Sequence, residues 1–341
     1  MKWSLCPACA FDLHASRWAA LHAHSPISPL LSPAFVAPLL RVFGSEREWL
    51  ATGEQDGQIV AMAVLTRGDR LTWSTFQPPQ APVGLWLQLP GADPASLAQA
   101  LMPQLPGLPL VLAVTQCDPD HHARPPDTGR VRTLDYIDTG RISLAGSFED
   151  YWATLGKNLR TNLRKQRARL ARLDVLPRLQ LSLHENEVAK AISHYAMLES
   201  AGWKADQGTA IADGDRQFQF YEQMMQAFCR MGAGRIYRYW LGDELAAMDL
   251  CIEDGEQLVV LKTAYNEAVP PGVSPAMLMR EEICRSLFGE ARLARIEFYG
   301  RVMDWHRRWS TQARTLFHIN VYRWSALARL HAGSRSWSST T

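Results

Sequence analysis

The segment Leu258 to Leu287, LVVLKTAYNEAVPPGVSPAMLMREEICRSL, constrains this chain most. The β-branched apolar run Val259 to Thr263 predicts a buried strand. Asn266, Pro270, Pro271 and Gly272 mark a loop, and Ser274-Pro275 is a helix start with proline where its missing N–H costs nothing. Ala276, Met279, Ile283 and Leu287 then recur at helical spacing, and Gly289 offers a stop. A strand feeding a helix through a glycine-containing loop gathers free backbone N–H groups at one spot, a geometry that suits phosphate.

The 341 residues suffice for two ordinary domains, and a formal charge of +2 gives no overall pull toward polyanions. Cys117, Cys229, Cys251 and Cys284 are scattered and read as reduced core residues of a cytoplasmic protein. Cys6 and Cys9 form a lone C-x-x-C without a second ligand pair, so no metal is expected. Asp12, His14 and Arg17 interrupt the first apolar run too early for a secretory signal, and no apolar stretch reaches the roughly 18 residues of a membrane span. From His331 the sequence is polar and predicts a disordered tail, 331–341.

In chain order, residues 1 to about 45 read as helical pieces, with Ser28-Pro29 and Ser32-Pro33 as overlapping starts and Pro38 as a kink. Short strands follow at Glu48–Thr52, Ile59–Thr66 and Leu71–Phe76, then a helix from Asp93-Pro94 and strands at Leu108–Thr115 and Val131–Ile137. One long helix is predicted from Ser147 to Leu173. Lys157, Arg160, Arg164, Lys165, Arg167, Arg169 and Arg172 crowd it without an acidic residue among them. It is either a solvated face, answered by acidic surface elsewhere, or a dock for a phosphate, a tRNA or a lipid headgroup. After a strand at Leu179–Leu183 and helices at Glu187–Ala201 and Arg216–Met231, the strands Arg235–Leu241, Glu244–Glu253 and Gln257–Ala264 lead into the opening segment. Arg295–Phe298, Met303–Trp309 and Thr315–Tyr322 close the chain as strand, helix and strand. The second half thus repeats the order of the first: an α/β chain with mixed sheets, divided into 1–137 and 138–330.

That order is the order of the GNAT acyltransferase fold, so the chain resembles two tandem GNAT-like halves, the second complete and the first degenerate. Glu199-Ser-Ala-Gly-Trp-Lys204 followed by Gly208-Thr-Ala210 resembles the signature of the branch that includes CelD-type cellulose-biosynthesis acetyltransferases. Tyr151-Trp152, Leu159-Arg160 and Asn162-Leu163-Arg164 fit the same branch, which is similar to the tandem Fem-type peptidoglycan aminoacyltransferases. The resemblance runs from about Asp138 to Arg323. It departs at Ala205, where a second glycine is common, and at Asp304-Trp305-His306, where a Tyr-Lys pair is more usual.

The resemblance implies an acyl-CoA, acetyl-CoA first, held between the strands Gln257–Ala264 and Arg295–Phe298. Lys262, Thr263, Ala264 and Tyr265 would line the thioester arm, and the amides of Gly272, Val273, Ser274 and Ala276 would take the diphosphate. Ser274 could instead be an ordinary cap. An amide near Ala264 or Tyr265 would meet the developing oxyanion, and Tyr265 or Tyr299 could return a proton to the thiolate. Asp249 is the first acid–base candidate, and Glu199, Asp304 and His306 are the other options. Asp249, placed opposite Val260 by a two-residue Asp254-Gly255 turn, could equally form a structural pair with Lys262, although that register sets Glu253 against Glu256. Trp203, Lys204, Asp304 and His306 are candidates for the acceptor side. Only Gly91-Ala92 precedes the helix at Asp93, so one cofactor site is expected, in the second half. Three functions remain open: an acyl-CoA-dependent N- or O-acyltransferase on a sugar, polysaccharide or cell-envelope precursor; an aminoacyl-tRNA-dependent transferase; and a non-catalytic module with a decayed site.

Overall fold

The computed structural model describes residues 1–25, 28–69, 71–200 and 214–336. The chain divides into two compact units, Met1–Asp138 with Arg314–Thr341, and Thr139–Ala313.

The first unit contains β1 (Lys2–Pro7), α1 (Phe11–His24), α2 (Pro33–Phe43), β2 (Glu48–Gln55), β3 (Gln58–Arg67), β4 (Thr72–Thr75), β5 (Trp86–Gln88), α3 (Pro94–Leu101), β6 (Val111–Cys117) and the first residues of β7 (Val131–Ser143). β1, β2, β3 and β4 pair antiparallel in turn, and β5 also pairs with β3. β4 and β6 run parallel, Thr72–Ser74 against Val111–Ala113. Asp93 caps α3 by accepting from the amides of Ala95 and Ser96. The chain begins on a strand, where the sequence predicts helical pieces. β1 is an edge strand whose Trp3 alone is fully buried, too few inward residues to set up a legible alternation. Pro38 lies within α2 without ending it.

The second unit contains α4 (Phe148–Thr154), α5 (Lys157–Arg172), β8 (Pro177–Ser182), α6 (Val188–Ser200), α7 (Arg216–Arg230), β9 (Gly234–Leu241), β10 (Glu244–Glu253), β11 (Gln257–Tyr265), α8 (Pro275–Glu290), β12 (Arg295–Phe298) and α9 (Asp304–Trp309). Its sheet runs β8, β9, β10, β11, β12 and the end of β7, with β11 and β12 parallel and the other neighbours antiparallel. Leu159, Leu163 and Leu170 of α5, Leu278, Ile283 and Leu287 of α8, and Trp309 form one core with the inward residues of β9 to β12. The helix predicted from Ser147 to Leu173 is two helices. Leu155 and Gly156 take extended conformations, ψ 149° and 135°, and break it.

β13 (Gln312–Tyr322) pairs with β6 through Phe317 to Tyr322, and α10 (Ser325–Ser336) follows. Residues from Arg314 onward therefore group with the first unit, whereas the expected division keeps residues up to 330 with the second half. Phe317, Ile319 and Val321 join the core of Leu112 and Val114, which fixes the strand there. Residues 331–336 continue α10 where the sequence predicts a disordered tail, and 337–341 lie outside the described residues. Both units share one mixed-sheet plan, in which antiparallel strands lead to a parallel pair that encloses a helix: β4–α3–β6 and β11–α8–β12.

Candidate functional site

β11 is fully buried while it has β12 beside it. Gln257, Leu258 and Val259 pair with Arg295, Ile296 and Glu297 and are at most 1% exposed. Pairing with β12 stops there, although β11 continues to Tyr265 against β10. Val260, Leu261, Lys262 and Thr263 are all partly exposed. Successive strand residues face opposite sides of a sheet, so exposure of four in a row means that the strand's own edge is open. An open strand edge offers backbone donors and acceptors to an extended ligand.

The bend after β11 differs from the expected ring of free amides. The Val273 N–H donates to Pro270 O at 3.1 Å, and the Ser274 N–H donates to Gln166 Oε1 at 2.8 Å. Two of the four named amides are thus used within the chain. Ser274 occupies the cap position of α8, but its side chain makes no capping hydrogen bond. Gly272 is exposed with φ +78°, a left-handed conformation that favours glycine. Arg169 Nη1 lies 3.4 Å from the place a Cβ would take on Gly272. An anion at this bend would meet the Arg169 guanidinium beside the glycine. Arg169, Lys157, Arg164 and Lys165 are exposed and form no ion pair among the described residues. Arg167 alone is answered by acid, from Glu281 at 3.1 Å and Glu282 at 3.0 Å.

Lys262 and Thr263 point to opposite faces and build two separate clusters. On one face the Thr263 hydroxyl donates to Asp249 Oδ1 at 2.6 Å, and Arg280 Nη2 lies 2.6 Å from Asp249 Oδ2. The Arg280 guanidinium also lies 5.1 Å from the centre of the Phe298 ring. Asp249 is on β10 and Phe298 on β12, so Arg280 spans beneath β11 and walls the opening on the α8 side. Burial pushes the Asp249 carboxyl up, and Arg280 and Thr263 oppose that shift. On the other face, Glu199 is 2% exposed; Tyr195 Oη donates to its Oε1 at 3.3 Å, and Lys262 Nζ lies 3.4 Å away. Burial and the Glu199 carboxylate push the Tyr195 and Tyr221 phenols up, so both stay protonated.

The register differs from the expected one. Asp249 faces Thr263, with a bulge at Leu250/Cys251, and Lys262 belongs to Glu199 rather than to Asp249. Asp254 accepts from the amides of Glu256 and Gln257, which widens the turn and removes the Glu253–Glu256 opposition. Glu253 instead meets Arg235 at 2.7 Å and Arg292 at 2.5 Å.

Tyr265, 38% exposed, ends β11; Ala264 before it is buried, as is Tyr299 just past β12. Asp304 is exposed at the start of α9, and Ala276 lies in the first turn of α8. His306 is buried; its Nδ1 accepts from the Met303 N–H at 3.0 Å, and burial together with the Arg280 charge pushes it down to about 4. Trp203 and Lys204 lie outside the described residues. Cys6 Sγ touches His14 Nε2 at 3.5 Å, but no group of three metal-binding side chains occurs among the described residues. No helix among them is long and apolar enough to cross a membrane. Sequence reasoning missed Arg280 and Gln166.

A profile of the family described as acetyltransferase (GNAT) domain matches residues 157–331. No curated protein matches by sequence. Among solved structures, FemX aligns over 97% of this chain and 99% of its own at 10% identity, with a TM-score of 0.60. A conserved protein of unknown function from Bacteroides thetaiotaomicron aligns over 91% of this chain and 97% of its own at 10% identity and a TM-score of 0.57. L-PGS from Bacillus licheniformis aligns over 94% of this chain and 96% of its own at 11% identity and a TM-score of 0.54. At these identities the likeness is one of fold.

Proposed function

We propose, since this chain belongs to the GNAT acetyltransferase-domain family, that it transfers an acyl group from an acyl-CoA, acetyl-CoA first, to an amine or hydroxyl of a sugar, polysaccharide or cell-envelope precursor, as in the CelD-type branch. The observation that carries this reading is the open edge of β11 from Val260 to Tyr265. The cofactor supplies the activated thioester. The edge amides of β11 would hold its arm, Arg169 and the Gly272 bend would take its diphosphate, and an amide near Ala264 or Tyr265 would stabilise the acyl oxygen. Glu199 is the base of choice. It lies on the Lys262 face of β11, whereas Asp249 is committed to Arg280 on the other. Tyr265, exposed at the strand end, is the candidate to return the proton to the thiolate.

Acetyl-CoA at a hundred times its Kd stabilises a protein that binds it by about 2.7 kcal/mol, so a thermal melt tests the reading directly. Arg169→Glu is expected to weaken binding without unfolding the chain, because Arg169 is exposed. Gly272→Glu would block the bend and strain its backbone together. No melting shift at millimolar acetyl-CoA overturns the reading.

A second reading, transfer from an aminoacyl-tRNA, is favoured by one observation: Gln166 fills the Ser274 amide while Lys157, Arg164, Lys165 and Arg169 of α5 form no ion pair among the described residues. It predicts salt-sensitive tRNA binding that disappears when Arg164, Lys165 and Arg169 are reversed to Glu. Binding of CoA with no binding of tRNA removes it.

A further inference from the structure

The break between α4 and α5 opens a cleft of about 770 Å³ wholly within the second unit. One wall is the first turns of α5, with Gly156, Asn158 and Asn162; the other is the end of α9, with Arg307 and Arg308. No carboxylate lines it. Both arginines are exposed and make no ion pair among the described residues. Two cationic side chains and no carboxylate make the cleft electropositive, which suits an anion. Asn158 and Asn162, one helical turn apart, present carboxamides along one line, a pattern that serves neighbouring hydroxyls. The first backbone bond of α5, Arg160 N–H to Gly156 O, leaves the preceding amides on the positive end of the helix dipole. The volume suits a small organic ligand and exceeds the need of an inorganic ion. No aromatic side chain lines the cleft to stack a nucleobase.

We propose that this cleft binds a phosphorylated sugar, with Arg307 and Arg308 on the phosphate and the Asn158 and Asn162 carboxamides on the sugar hydroxyls. The inference rests on the acyltransferase reading only in making that sugar the acceptor. Trp309, between the cleft residues Arg308 and Ser310, points its Nε1 at Met277 Sδ, 3.3 Å away in the first turn of α8. One indole thus joins the cleft wall to the helix that follows the donor bend.

Calorimetric titration of the full chain with glucose 1-phosphate, without any acyl donor, tests this. Binding is expected for the phosphate ester and at least about tenfold weaker binding for glucose itself. The double variant Arg307→Glu/Arg308→Glu should lose about a hundredfold in affinity while keeping its melting temperature, since both side chains are exposed. Asn158→Leu should weaken glucose 1-phosphate more than it weakens inorganic phosphate. No binding at about 10 mM, or equal affinity in the double variant, overturns the proposal. Displacement of glucose 1-phosphate by coenzyme A also overturns it, because the cleft would then belong to the donor. Because no donor is present, failure here is separate from failure of the acetyl-CoA melt.

Discussion

The two units carry the same parallel pair in opposite states. In the first, β4 and β6 part after Ser74 and Ala113, and the gap is closed at once. The Thr75 and Thr115 hydroxyls lie 2.6 Å apart, the Thr115 N–H donates to Thr75 Oγ1 at 3.0 Å, and the Gly84 N–H donates to Thr115 O at 3.1 Å. A Cβ on Gly84 would fall 2.4 Å from Thr75 Oγ1 and 2.5 Å from Thr115 O, so only glycine fits the plug. Thr75 and Phe76 stay buried. In the second unit β11 and β12 part after Val259 and Glu297, and β11 turns half-exposed over its next four residues. The fold supplies the gap, and a few side chains decide whether it becomes packing or a binding edge. Where the edge stays open, support has moved to the buried Arg280–Asp249 pair beneath it.

The largest expected effect comes from that pair. Asp249→Leu leaves Arg280 buried without a counter-charge, which costs about 3–5 kcal/mol in urea unfolding. Arg280→Met in the same chain should recover most of the loss. A base, by contrast, would lose rate with stability intact. Saturating acetyl-CoA comes next, at about 2.7 kcal/mol for a hundred times Kd. It should bind once per chain and slow hydrogen exchange at the open edge of β11 while leaving β4 unchanged. Two equivalents per chain would erase the distinction between the units. Gly84→Ala should cost about 1–3 kcal/mol by overpacking, with exchange accelerated in the first unit only. A neutral Gly84→Ala would mean that the seal is loose.

The strand, bend and helix from β11 to α8 were legible because each is written locally, in the run Val259 to Thr263, in Pro275 at the first helical position and in the stripe Met279–Ile283–Leu287. The tandem order was legible for the same reason. The return of β13 to β6 was not, since contacts such as Phe317 with Cys117 leave no local period. Gln166 and Arg280 do carry a signal in the sequence. Gln166 continues the stripe Leu159–Leu163 to Leu170, and Arg280 shares the buried side of α8 with Ile283, Cys284 and Leu287. A polar group on a buried stripe demands a partner. Asp249, a carboxylate within an apolar strand, was the matching half. The register differs from the expected one because the Asp254 side chain accepts from the Glu256 and Gln257 amides and widens the turn beyond the two residues Asp254-Gly255.

The smallest effect concerns pH, and it separates the units once more. Each holds a buried histidine pushed down to about 4: His122 by burial and then by His121, His306 by burial and then by Arg280. The folded chain keeps these rings neutral, so as pH falls the unfolded chain takes up protons first. Their stabilisation is present in full above the ordinary value of 6.5 and is lost progressively toward about 4. For His306 the structural consequence is specific. Its Nδ1 accepts the Met303 N–H that starts α9, and its ring packs on Phe298 beside Arg280. Protonation removes that acceptor and adds a cation next to the arginine. An asparagine at 306 keeps an acceptor and cannot be charged. His306→Asn should therefore lose less stability than the parent between pH 6.5 and 4, by on the order of 1 kcal/mol after solvent screening. In exchange experiments the acid sensitivity removed should be that of α9 and the end of β12. The first unit should keep its own sensitivity until His122 is changed as well. If His306→Asn instead flattens the acid response of both units together, the rings do not titrate within separate units, and the contrast between the sealed and the open pair cannot be carried over to acid stability.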